Sequence, residues 1–204
     1  MLTKLKAKVQ QLLVSEANAA HKLGLSPNMI SVASFAFAAL AAWAYASAGI
    51  SPIYLLFATV LLLLSGFCDT LDGVLARTFN LTSTFGGFLD SVLDRYADAF
   101  VYAGILFSGL CNNWWVMAAL LGSFLVSYSR ARAEAAGIKM ESVGLAERAE
   151  RMIILSVVSL AAIYWLPSLN IGVILLAVLS NFTVVQRGLY VYKSLKNKES
   201  VSET

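Results

Sequence analysis

Between Asp69 and Asp94 the chain reads DTLDGVLARTFNLTSTFGGFLDSVLD, with Asp69 and Asp72 three residues apart and Asp90 and Asp94 four apart. On helices those spacings put each pair on one face. Clustered carboxylates without an accompanying His or Cys suit a hard divalent ion such as Mg²⁺ or Mn²⁺, which keeps positions open for substrate phosphates. Four carboxylates can bridge two such ions, the arrangement that stabilises both the attacking and the leaving oxygen of a phosphoryl displacement. Gly73 removes a side chain directly after Asp72, Ala76 is small one turn later, and Arg77 can fork two hydrogen bonds onto a phosphate. Gly86 stands one turn before Asp90 and suits the same purpose on the next helix.

These acids lie between apolar runs long enough to cross a bilayer. Each unpaired charge at membrane depth would cost about 2.5–3.5 kcal/mol on the most lenient scale. Divalent cations remove that penalty, and so would an ion-conducting path. With 59% hydrophobic and only 13% charged residues, the chain reads as a polytopic membrane protein rather than a soluble domain. A net charge of +3 is too small to suggest nucleic acid as a partner.

The elements that position the acids follow from hydropathy. Six spans are expected, at about 28–47, 53–76, 84–108, 113–136, 148–166 and 170–191, each near the length that crosses about 30 Å of hydrocarbon. Ser26 reads as an N-cap and Pro27 as the first helical residue of the first span. Ahead of it, Leu2, Leu5, Val9 and Leu12 recur at helical spacing among Lys4, Lys6 and Lys8. That pattern predicts an amphipathic helix, either lying in the membrane interface or packed on its own protein. The first thirty residues lack a continuous apolar stretch, so no cleavable signal peptide is expected. The expected organisation is residues 1–25 as a juxtamembrane helix, 26–192 as one six-helix domain and 193–204 as a cytoplasmic tail, charged and frayed after Lys196.

The connections near Gly49–Pro52, Gly109–Asn113 and Leu166–Asn170 carry no charge, whereas all fifteen Lys and Arg residues fall at or near the opposite ends of the spans. The positive-inside rule then puts both termini and the 77–84 and 137–147 loops in the cytoplasm. Asp69, Asp72, Asp90, Asp94, Asp98, Glu134, Glu147 and Glu150 crowd the same side, as a polar cavity open to the cytoplasm requires. Trp114, Trp115, Tyr164 and Trp165 mark the outer interface. Cys68 and Cys111 fall toward opposite faces, and Cys68 reads as a small packing residue.

The pattern Asp69-x2-Asp72-Gly73-x2-Ala76-Arg77-x8-Gly86-x3-Asp90-x3-Asp94 resembles the signature of the CDP-alcohol phosphotransferase family at all eight fixed positions. Members of that family are integral membrane enzymes, usually homodimers. They use Mg²⁺ or Mn²⁺ to move a substituted phosphate from a CDP-linked donor to an alcohol, releasing CMP. The resemblance implies that Asp69, Asp72 and Asp90 ligate metal, and that Asp94 completes a second metal site and acts as general base. Gly73, Ala76, Arg77 and Gly86, together with the metal-binding Asp69 and Asp72, would line the CDP pocket. Asn28, at the start of the first span, is a further candidate there.

Arg130 and Arg132 end the fourth span, Arg148 and Arg151 open the fifth, and Arg187 lies near the end of the sixth. An acceptor carrying its own phosphate needs such a set, whereas serine or choline would not. Positive-inside topology and pairing with Glu134, Glu147 and Glu150 would account equally well for any one of these arginines, but less well for the set together. The segments GLSPN, RARAE, GLAERAER and VVQR resemble the family branch whose acceptor is inositol phosphate. The expectation is a CDP-lipid donor and inositol 1-phosphate as acceptor, with Arg130, Arg132, Arg148 and Arg187 on its phosphate and Arg151 as an ion-pair residue. Glycerol 3-phosphate is the alternative acceptor. A cation transporter is the alternative class, disfavoured because the acids crowd one half of the membrane and no internal repeat is visible.

Overall fold

The computed structural model describes residues 13–140 and 143–202, and among these the chain is all-helical. The helices are α1 Val14–Lys22, α2 Pro27–Ser47, α3 Ile53–Thr78, α4 Thr84–Phe107, α5 Asn113–Ala135, α6 Arg148–Tyr164 and α7 Pro167–Ser202. They form two compact units, Met1–Ser108 and Gly109–Thr204. The starts and ends follow local chemistry. Ser26 is extended and its side chain accepts from the Met29 N–H, with Pro27 at N1, so α2 starts as its sequence predicts. Ser83 caps α4 in the same way, accepting from the Gly86 N–H.

Among the described residues three helices, α2, α3 and the Pro167–Lys196 part of α7, are long and apolar enough to cross a membrane. Candidate ionisable groups lie on those helices and on the others alike: α3 holds Asp69, Asp72 and Arg77, α4 holds Asp90, Asp94, Arg95 and Asp98, α5 ends on Arg130, Arg132 and Glu134, α6 opens on Arg148, and α7 holds Arg187. The last helix begins earlier and ends later than the expected 170–191, running from Pro167 to Ser202, with no Gly or Pro to interrupt it after Lys193.

In the first unit α2 is the helix on which both α3 and α4 pack. Most of its buried positions are small, Ser31, Ser34, Ala38, Ala41, Ala42 and Ala44, with Ile30 and Tyr45 the exceptions. Small residues let backbones approach closely where lipid supplies no hydrophobic drive between helices. The Ser34 hydroxyl donates to the Ser65 carbonyl of α3 at 2.9 Å. A Cβ on Gly104 of α4 would lie 2.2 Å from the Ala42 carbonyl oxygen, so that crossing tolerates only glycine.

The short helix α1 packs on α3. Leu13, Ala17 and Ala20 join Ile30, Leu71, Val74 and Leu75 in one buried cluster, with Cys68 packed beside it as the sequence suggests. His21 stacks on Phe79, ring centroids 3.9 Å apart. Over its described part, then, this segment packs on its own protein. Leu2, Leu5, Val9 and Leu12 lie outside the described residues.

In the second unit α7 plays the part that α2 plays in the first, with α5 and α6 both packed on it. Gly122 lets α5 meet Ser180 and Asn181, and Gly172 lets α7 meet Val158 of α6. Asn181 Nδ2 donates to the Ala118 carbonyl at 3.0 Å, tying α7 to α5.

Candidate active site

A tight turn builds the acidic site. Phe79 N–H donates to the Leu75 carbonyl and Leu81 N–H to Ala76, closing α3, while Asn80 takes a left-handed conformation with φ 54°. Asn is among the few non-glycine residues that adopt it cheaply. Ser83 then starts α4 within three residues. The reversal brings the carboxyl-terminal end of α3 and the amino-terminal end of α4 to one side of α2.

There Asp69 of α3 and Asp90 and Asp94 of α4 each offer a carboxylate oxygen, all within 4.8 Å of one another. All three side chains are half-buried. Asp94 also stands 3.8 Å from Arg95 Nη1. Three like charges at that separation repel strongly unless a cation sits among them. An oxygen-only donor set of this size fits a hard divalent ion.

Asp72 departs from the simple picture of two matched pairs. It is 6% exposed and turned toward α2, where the Ser31 hydroxyl, itself 5% exposed, donates to its Oδ2 at 2.6 Å. Asp69 and Asp90 both lie within electrostatic reach of it. Ser31 is the site residue that motif reading missed. The available signal was its place one turn after Asn28 in an apolar helix, where a hydroxyl needs a partner.

The phosphate-handling candidates Gly73, Ala76, Arg77 and Gly86 lie on the same two helices as the acids. A Cβ on Gly73 would lie 3.2 and 3.3 Å from the two terminal nitrogens of Arg77, so the missing side chain is the space over which the guanidinium folds back. A Cβ on Gly86 would lie 3.0 Å from Asn28 Oδ1 and 2.9 Å from Ser83 Oγ. Asn28, from the start of α2, is thus brought to the start of α4. Ala76 is half-buried on α3 between these groups in sequence.

The candidate acceptor-phosphate arginines and Arg151 all belong to the second unit, and their environments differ. Arg130 is 45% exposed and pairs with Glu134 at 2.9 Å, one turn on. Arg132 is exposed and Arg148 half-buried. Arg151 is buried and donates to the Ala146 carbonyl at 3.0 Å. Arg187 is 2% exposed: its Nε donates to Val143 O at 2.7 Å, Nη1 donates to Val126 O, and Nη2 reaches Glu147 Oε1 at 3.5 Å. Three of its five N–H donors are thereby used. Arg130, Arg151, Glu134 and Glu147 all act electrostatically on Arg187, so charges from α5, α6 and α7 do gather in this unit.

Comparison with known proteins agrees with this geometry. Residues 24–185 match the family model described as CDP-alcohol phosphatidyltransferase. The chain is 39% identical over 202 residues to archaetidylinositol phosphate synthase of Pyrococcus horikoshii, covering 98% of this chain and 99% of that one. Its fold matches the crystal structure of Mycobacterium tuberculosis phosphatidylinositol phosphate synthase with CDP-DAG bound, at TM-score 0.77 and 28% identity over 89% of this chain and 94% of that one. A second crystal structure of that enzyme, in complex with manganese and citrate, matches at TM-score 0.76 and 29% identity, over 88% of both chains.

Proposed function

Because the chain belongs to the CDP-alcohol phosphatidyltransferase family, we propose that it transfers an archaeol- or diacylglycerol-phosphate group from a CDP-lipid to inositol 1-phosphate, releasing CMP. The observation that carries this reading is the convergence of Asp69, Asp90 and Asp94 from two helices onto one point beside the buried Asp72.

Asp69, Asp72, Asp90 and Asp94 would hold Mg²⁺ or Mn²⁺, two ions in full occupancy. Bound there, the cations supply neutralisation of the donor pyrophosphate. Arg77, folded over Gly73, donates to the same phosphates, while Gly86 and Asn28 leave room for and contact the nucleotide. Asp94 accepts the proton of the attacking inositol hydroxyl. The new bond joins that oxygen to the lipid-bearing phosphorus, and the bond from this phosphorus to the CMP oxygen breaks. Arg130, Arg132, Arg148 and Arg187 take the acceptor's own phosphate, with Arg151 holding the local fold.

The same reading makes residues 26–192 one membrane domain of six spans, preceded by a juxtamembrane helix over 1–25 and followed by a tail from 193, with the site and both termini facing the cytoplasm in a homodimer of the cell membrane. The lipid tails would stay in the bilayer while the headgroup reaches the acids.

Mass spectrometry of the product formed from CDP-lipid, Mg²⁺ and a panel of alcohol phosphates tests it. A lipid-linked inositol phosphate is expected. Product from glycerol 3-phosphate alone would overturn the acceptor assignment but keep the family reaction.

A further inference from the structure

We propose that Thr183 of α7 is the positioning residue that fixes the start of α6, and through it the affinity for the acceptor's phosphate. This rests on the reading of Arg148 as an acceptor-phosphate ligand.

Thr183 is fully buried, and its hydroxyl is used to capacity. It donates to the Leu179 carbonyl one turn back at 2.8 Å and accepts from two successive backbone donors, Leu145 N–H at 3.3 Å and Ala146 N–H at 3.2 Å. One donor and two acceptors exhaust what a hydroxyl offers. The segment it holds has no regular structure of its own, and it leads directly into the Glu147 cap and Arg148, the first residue of α6. A backbone donor buried without a partner is costly, so in this place Thr183 does for the segment what a helix ladder does elsewhere.

Other groups clamp the same residues from around it. Arg151 Nη1 donates to Ala146 O at 3.0 Å, so Ala146 is held by both its N–H and its carbonyl, and Arg187 Nε donates to Val143 O. Gly144 takes φ +134°, a conformation that side chains rarely adopt, and a Cβ on it would lie 2.6 Å from Thr183 Cγ2. The methyl of Thr183 therefore occupies the space that Gly144 leaves. Hydroxyl and methyl have separate tasks: one fastens the strap, the other seats it.

The segment determines where α6 begins and hence where Arg148 starts from. A valine at 183 keeps the shape and removes both acceptor positions, releasing the strap without opening a cavity. Shifted by even a fraction of an ångström, a charged hydrogen bond to phosphate weakens, while the acidic site of the first unit uses none of these groups.

The test is steady-state CMP release by the full-length chain in nanodiscs, varying inositol 1-phosphate and CDP-lipid separately. Thr183→Val is expected to raise KM for inositol 1-phosphate about tenfold, from the loss of hydrogen bonds to two backbone donors, that of Ala146 buried, with KM for CDP-lipid and kcat unchanged. Thr183→Ser is expected to restore the wild-type KM. Arg148→Gln serves as the control on the underlying reading: an unchanged acceptor KM there refutes the arginine assignment irrespective of Thr183. If Arg148→Gln raises the acceptor KM while Thr183→Val leaves it alone, or worsens both substrates in parallel, the positioning role is wrong. Should Thr183→Val not accumulate, Gly144→Ala displaces the same strap from the other side and must give the same split between substrates.

Discussion

The Ser31 hydroxyl of α2 donates to Asp72 Oδ2 of α3 at 2.6 Å, with both side chains buried. The same hydroxyl lies 3.2 Å from the Pro27 carbonyl, but it has one proton, and the shorter, charge-assisted contact is the stronger. One oxygen of a motif aspartate is therefore committed to the helix that carries the rest of the first unit. This bond sets the orientation of the other.

Ser31→Ala should slow CMP release by about tenfold or more, since an unmet buried partner of a charged group costs roughly 1.5–3 kcal/mol. Ser31→Thr, which keeps the hydroxyl, should stay close to wild type. A radiolabelled CMP-release assay at several Mg²⁺ concentrations checks both, and equal rates for the alanine and wild-type enzymes would remove Ser31 from the site.

Asp94→Asn should abolish transfer while leaving binding of the CDP-lipid largely intact, because an amide cannot take the proton of the acceptor hydroxyl. Asp90→Asn should instead weaken Mn²⁺ binding, which electron paramagnetic resonance reads without turnover. Normal turnover by purified Asp94→Asn would refute the base assignment.

Gly104→Ala tests the crossing of α2 and α4. The added methyl would stand 2.2 Å from backbone, which cannot swing aside as a flexible side chain can. A destabilisation of about 1–3 kcal/mol or more is expected. Thermal unfolding in detergent measures it, and a melt matching wild type would show that the helices can part at no cost.

Arg187→Met keeps an unbranched apolar stem and removes the guanidinium with its donors. The Val126 and Val143 carbonyls lose their partner and Glu147 its cation, at about 1–3 kcal/mol for each buried acceptor left unmet. The melting temperature should fall, and KM for inositol 1-phosphate should rise. An unaltered melt would mean that these bonds are replaced by others.

Much of this protein was legible before any fold was known. The carboxylate pairs, the glycines beside them and the family that these spell depend on spacing alone, and Ser26 and Pro27 announce the start of α2 to the residue. Local signals carry that information, because helix period and capping involve residues at most four positions apart. The six expected segments likewise coincide with helices, except that α7 starts at Pro167 and runs on to Ser202. Tertiary structure decided which faces meet. The pairing of Ser31 with Asp72 spans 41 positions and that of Arg187 with Val143 spans 44, and no period relates them. Composition could count the aspartates and arginines, but a buried charge or hydroxyl is satisfied by whatever packing brings to it. Only the packed helices turn Asp72 toward α2 while gathering Asp69, Asp90 and Asp94 at one point, and only they close Thr183 and Arg187 over the strap before α6.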